Sequence, residues 1–153
     1  MVRRDSPTYW ILISNNFLDM AILEWCKVFG TDSEPTHWKT LVSECNSFRN
    51  GLLKHIGLDE TGWKCYWEQV RDYRNNALAH HRKNDNVKDY PVLDNILKSA
   101  FYYHEWLIKH LEAIGIIEEP SNLEEYYNSC LEQAKLFSAN AYGSTKDIRE
   151  KVH

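Results

Sequence analysis

Between positions 71 and 83 the chain gathers Arg71, Arg74, His80, His81, Arg82 and Lys83, with Asp72 the one acidic residue among them and Asn75 directly after Arg74. These residue types suit a reaction at a phosphate. A guanidinium is permanently charged and presents a planar fork matched to phosphate oxygens, so it can stabilise charge that develops there. A histidine titrates near neutrality and can take up a proton, and Asn75 can orient the histidine or donate a hydrogen bond to the phosphate. The chain as a whole carries a net charge of −4, from 18 Lys and Arg against 22 Asp and Glu. There is thus no global electrostatic footprint for nucleic acid, and any contact with one must be local.

The element that must position these groups is a helix starting near Asp59 or Thr61 and ending around His80 or His81, followed by a polar loop from Arg82 to Asp89. Trp63, Trp67, Val70 and Ala77 share one of its faces, and steps of three and four from the tryptophans land on Arg74. The side that should be core therefore carries a charge, which is costly to bury unless paired. Arg74 is expected to be salt-bridged, at a subunit interface or lining a polar pocket. Seven residues return an ideal helix almost to the same face, which favours His81 as its companion; six leave His80 about a third of a turn away. A fraying helix end closes that gap, so both histidines stand as candidates.

The rest of the chain reads as further helices. Its 153 residues, 43% hydrophobic with six Trp, nine Tyr and five Phe, fill one core and fit one domain spanning 1–153. A first helix is expected from Ser6 as N-cap, with Pro7 at the first helical position, to Phe29, stopped by Gly30. Its broad apolar face suggests a central helix or a dimer contact. A second is expected over about Pro35 to Ile56, terminated by Gly57, with Gly51 weakening its continuity. Pro91 opens a fourth with the stripe Leu93, Leu97, Ala100, His104, Leu107, Leu111 and Ile114. Ser121-Asn122-Leu123-Glu124 reads as a capping box for a fifth carrying Leu123, Tyr127, Cys130, Ala134, Phe137 and Ala141 on one side. Gly143-Ser144 should end it, with 143–153 a polar tail. No stretch shows convincing two-residue alternation. The expected fold is all-α, an antiparallel bundle of four to five long helices.

Arg74, Asn75 and His80, with five residues between the arginine and the histidine, resemble the signature of the HEPN superfamily of helical RNA-cutting and nucleotide-binding proteins; His81, with six intervening residues, also satisfies it. The Ala79-His80 ending is similar to the form in bacterial members linked to abortive phage infection. So is the first segment, ending Glu24-Trp25-Cys26-Lys27-Val28-Phe29-Gly30 and followed by Thr36-His37-Trp38. The resemblance extends from about residue 9 to 112. It implies a metal-independent RNA endonuclease of phage-defence or toxin type, leaving 2′,3′-cyclic phosphate ends. It also implies a homodimer in which Arg74 and His80 of both chains face a shared cleft, since one histidine cannot easily serve as base and as leaving-group acid at once. Arg71, Arg82 and Lys83 would contact RNA, and an antitoxin or partner protein is a possible companion. A non-catalytic HEPN module that binds a nucleotide or a partner protein, and a dimeric helical scaffold with Arg74 paired across the interface, are the alternatives.

Other chemistries find little support. Cys26, Cys45, Cys65 and Cys130 form no C-x-x-C pair, and buried free thiols in a reducing compartment are expected. His104-Glu105 lacks the second histidine of a zinc motif, and His104 reads as a core or interface residue. Neither a metal nor a cofactor is expected: phosphate-cradling glycine loops and dinucleotide fingerprints are absent, and no DNA-binding motif occurs. Trp63 and Trp67 could stack bases, but at helical spacing they read first as core. Arg3 and Arg4 give way to Asp5, Ser6 and Pro7, and Asn15, Asn16 and Asp19 break the apolar run after Trp10, so neither a signal peptide nor a membrane span is expected. A cytoplasmic location follows.

Overall fold

The computed structural model describes residues 8–75 and 90–150. Five α-helices run in the order α1 (Thr8–Phe29), α2 (Cys45–Ile56), α3 (Glu60–Tyr73), α4 (Asp94–Ala113) and α5 (Leu123–Glu150), with a 3₁₀ turn at Trp38–Thr40 between α1 and α2. No strand occurs among the described residues, and the fold is all-α as expected. None of the helices is long and apolar enough to cross a membrane. The chain divides into two compact units, Met1–Tyr103 and His104–His153, with the division inside α4.

In the first unit, α1 and α3 run antiparallel. The indole N–H of Trp67 donates to the carbonyls of Phe29 (2.6 Å) and Gly30 (3.1 Å), and the Tyr73 hydroxyl donates to Asp19 Oδ1 at 2.6 Å. A later α3 residue thus meets an earlier α1 residue. The Trp67 contact also satisfies carbonyls that the end of α1 leaves without intrahelical partners, a task shared by the Thr36 hydroxyl, which donates to Lys27 O at 3.0 Å. Around this pair lies an aromatic core. Trp25 stacks on Phe29 (5.3 Å between ring centroids), Trp63 meets both edge-on, and Phe48 of α2 stacks on Trp38 (4.7 Å) and lies tilted against Tyr102 of α4 (5.2 Å). Such pairs each add about 0.5–1.5 kcal/mol to the burial itself.

Several expected boundaries hold. Phe29 ends α1, Asp59 caps α3 by accepting from Gly62 N at 2.6 Å, and Gly57, at φ 74, closes α2 in the left-handed region that glycine occupies without strain. The N-cap expected at Ser6 lies outside the described residues. The second helix is shorter than expected. Residues 35–44 form a loop and the 3₁₀ turn, because the buried His37 caps that turn, Nδ1 accepting from Lys39 N at 3.3 Å, and the Thr40 hydroxyl bonds back to His37 O at 2.8 Å. Gly51 sits inside α2 for a reason invisible in the sequence: a Cβ there would lie 1.9 Å from the Tyr102 hydroxyl. The buried thiol is Cys26 alone; Cys45 is half-buried and Cys65 and Cys130 are exposed.

The face of α4 also differs from the expected stripe. Its buried residues are Ile96, Ser99 and Ile108, one position off the leucines, and Ile114 is exposed. The reason is a polar anchor. Trp25 Nε1 donates to Ser99 Oγ at 2.8 Å, and Ser99 returns its proton to the carbonyls of Asn95 (2.7 Å) and Ile96 (2.9 Å). In the second unit, Trp106 stacks on His110 (3.6 Å), and Asn122, rather than Ser121, caps α5 by accepting from Glu124 N and Glu125 N. Helix α5 continues through Gly143 to Glu150 instead of stopping there. Leu136 and Phe137 on it are exposed.

Ser99→Ala should cost about 1–3 kcal/mol, because it strands a buried indole N–H. Thermal or urea unfolding checks this, and in a Trp25→Phe background the same change should cost much less.

Candidate functional site

Arg71, Arg74 and Asn75 gather at the C-terminal end of α3, which the Trp67 and Tyr73 hydrogen bonds tie to α1. The backbone passes Arg74 and Asn75 in a wider, π-type turn, and the Arg74 N–H is shared between the carbonyls of Val70 and Arg71. Turns of this kind recur at functional sites. Val70, completely buried, points to the core, and Arg74 occupies the half-buried border of the same face, 31% exposed. His80, His81, Arg82 and Lys83 fall in 76–89, outside the described residues.

The partner of Arg74 is one that sequence reading did not name. Nη2 lies 3.5 Å from Oε1 of Glu34, which is 30% exposed and belongs to the loop after α1. An ion pair this long and this wet contributes at most about 1 kcal/mol, and it engages one edge of the guanidinium. Of the three expected settings for the arginine, the salt bridge is therefore present, but it is not sealed. Arg71 lies with its guanidinium carbon 4.4 Å from the Trp67 ring centroid, a cation–π contact. Asn75 is exposed.

Among the described residues, the neighbouring thiol and phenol are poor nucleophiles. Burial pushes the Cys26 thiol up to about 11, against the opposing pull of Arg74 and Arg71, so it stays protonated at neutral pH. Burial raises the Tyr73 phenol well above its ordinary range, and the Asp19 carboxylate beside it adds to the effect. The thiol is a neutral, buried core group, and the phenol acts as a neutral hydrogen-bond donor to Asp19. Arg71 and Arg74 are the cations described at this end of α3.

A second feature opens from the same loop. Trp38, Trp63, Trp67, Lys39, Arg49 and Lys64 line a cavity of about 550 Å³, within the size range of small-molecule sites. Asp32 and His37 border it. Lys39 Nζ donates to Asp32 Oδ2 at 2.5 Å, and this bond holds the Asp32 carboxyl below its usual range. His37 Nε2 lies 3.5 Å from Asp32 Oδ1, but burial outweighs that attraction and lowers the imidazole pKa. Neither the cavity nor the buried histidine was legible as a site from spacing; the His37-Trp38 pair within Thr36-His37-Trp38 was the one available signal.

The HEPN_AbiU2 family model, described as AbiU2, matches residues 1–106. The chain belongs to this HEPN family. The HEPN_AbiU2 match takes in α1, α2, α3 and the first part of α4, and with them Arg71, Arg74, Asn75 and Glu34. Helix α5 lies beyond it. No curated protein and no solved structure matches the chain.

Two measurements probe this region. Glu34→Gln should change unfolding free energy by less than about 1 kcal/mol; a loss above about 3 kcal/mol would mean that the Arg74 pair is a sealed structural one. The folded-state pKa of His37 is depressed, so its contribution to stability is complete above the ordinary histidine pKa of about 6.5 and declines as pH falls through the folded-state value. His37→Asn, which keeps an acceptor for Lys39 N, should flatten the slope of melting temperature against pH below about 6.5.

Proposed function

We propose that this HEPN chain is a metal-independent RNA endonuclease of phage-defence or toxin type, acting in the cytoplasm as a homodimer of one HEPN-like domain. The observation that carries the reading is the state of Arg74. It stands at the end of α3 within the family-matched segment, about a third exposed and loosely held by Glu34, with Arg71 one turn before it. A guanidinium so placed keeps donors available for phosphate oxygens.

In this mechanism His80, with His81 as the alternative, takes the proton of the ribose 2′-OH as that oxygen attacks the adjacent phosphorus. The bond to the 5′ oxygen breaks, the leaving oxygen takes a proton from the histidine of the second protomer, and a 2′,3′-cyclic phosphate remains. Arg74 stabilises the charge on the phosphoryl oxygens, and Asn75 orients the histidine or adds a donor. Arg71, Arg82 and Lys83 hold the flanking backbone. An antitoxin or other partner protein would act by covering this surface.

A second reading, a non-catalytic module that binds a nucleotide or a partner protein, draws on the net charge of −4 and on the carboxylate already beside Arg74. The two differ in turnover. Purified protein should cleave RNA in the presence of EDTA, and Arg74→Ala and His80→Ala should each lower the rate by about a hundredfold or more while remaining folded. Equal cleavage by all three proteins would refute the endonuclease reading.

A further inference from the structure

The cavity beside α3 combines aromatic walls with surplus positive charge. Lys39 is committed to Asp32, whereas Arg49 of α2 and Lys64 of α3 are exposed, and Glu60 is the other carboxylate on the lining. Three cations thus face two carboxylates, in a chain whose overall charge is negative. The wall they decorate is rigid. Trp67 is pinned through its indole N–H to the end of α1, Trp63 is packed edge-on against Phe29, and Trp38 is stacked on Phe48. A fixed aromatic wall beside exposed cations fits a planar base that carries a phosphate.

The position of the cavity relative to Arg74 gives that chemistry a direction. Lys64, Trp67, Arg71 and Arg74 follow one another at steps of three, four and three, so they share one face of α3. Arg71 bridges the two ends by lying over Trp67. From Lys64 to Arg74 the helix rises about 15 Å, a span that an extended single strand covers in about two to three nucleotides.

We propose that this cavity is an anchoring subsite for single-stranded RNA. It takes one unpaired nucleotide, base toward the tryptophans and phosphate toward Arg49 and Lys64, and the strand continues along Arg71 to Arg74. The inference rests on the reading of Arg74 as the phosphate-contacting residue of an RNA endonuclease. It adds that substrate is held at a defined distance from the scissile bond, and that paired RNA, whose bases cannot enter, is a poor ligand.

The test separates binding from cleavage. A fluorescein-labelled 2′-O-methyl tetra-adenylate has no nucleophile and cannot be cut, so its anisotropy reports binding to the unaltered protein. Lys64→Glu and Arg49→Glu should each weaken binding about five- to tenfold by reversing an exposed charge on the lining. Lys135→Glu, on α5 and outside the cavity, should leave it unchanged. A fluorescein-labelled 2′-O-methyl oligomer of about twelve nucleotides, long enough to stay paired when annealed to its complement, should bind at least about tenfold more weakly as the duplex than as the single strand. If Lys64→Glu and Arg49→Glu match the unaltered protein, the subsite is refuted even where Arg74 and His80 prove essential for cleavage. If they weaken binding while Arg74→Ala and His80→Ala cut normally, the subsite stands and the endonuclease mechanism falls. Adenosine 5′-monophosphate is the second probe: competition by it at millimolar concentration supports the base-plus-phosphate chemistry, whereas binding of the mononucleotide with no binding of the oligomer overturns the assignment to RNA.

Discussion

The hydrogen bond from the Trp67 indole to the last carbonyls of α1 is the constraint from which the site's geometry follows. A helix end leaves carbonyls that must find donors, and here the donor is a large side chain on another helix. That one contact ends α1, fixes the height of α3 against it, and sets the rotation of α3. Rotation matters most. With Trp67 turned toward α1, Val70 enters the core, Lys64 and Arg71 stay at its edge, and Arg74 emerges where the loop after α1 can offer Glu34. The Tyr73–Asp19 bond repeats the constraint at the far end and leaves little freedom to twist.

How much of this the sequence disclosed depended on whether the signal was local. The end of α1 at Phe29, the Asp59 cap and the Gly57 stop are written in adjacent residues, and all three were readable. The phase of α3 was readable in part: Val70 lies on the expected stripe, but the buried face runs through Tyr66, Val70 and Tyr73, and Trp63, Trp67 and Arg74 sit at its edge. The face of α4 was not readable. Ser99 looks like a surface residue, and only its distant partner Trp25 makes it the most buried point of the helix. The loop before α2 failed for a related reason: His37 is at once a cap and a core residue, and a polar residue ahead of a helical pattern reads as part of the helix.

The candidate site divides in the same way. Arg71, Arg74 and Asn75 are legible as candidates because they are close in sequence and resemble a family signature, and the family match over residues 1–106 spans all three. Glu34, the partner of Arg74, and the cavity-lining Arg49 drew no notice in the sequence because neither stands near the motif in the chain. An isolated glutamate in a polar loop and an arginine on a short helix carry no pattern of their own. Their significance comes from what the fold sets opposite them.

The close approach of Gly51 to Tyr102 bears on the order in which the chain can acquire its shape. A twelve-residue helix with a glycine at its centre is marginal by itself, and α2 gains its packing from Phe48 against Tyr102 and Tyr103. Those tyrosines leave the ribosome long after α2 has been made. The α1–α3 pair draws on α4 as well, since the Trp25 indole takes its partner from Ser99 and Phe29 meets Tyr103 edge-on. Both the face that carries Arg74 and the helix that holds Arg49 thus reach their final packing only once the first half of α4 has been made.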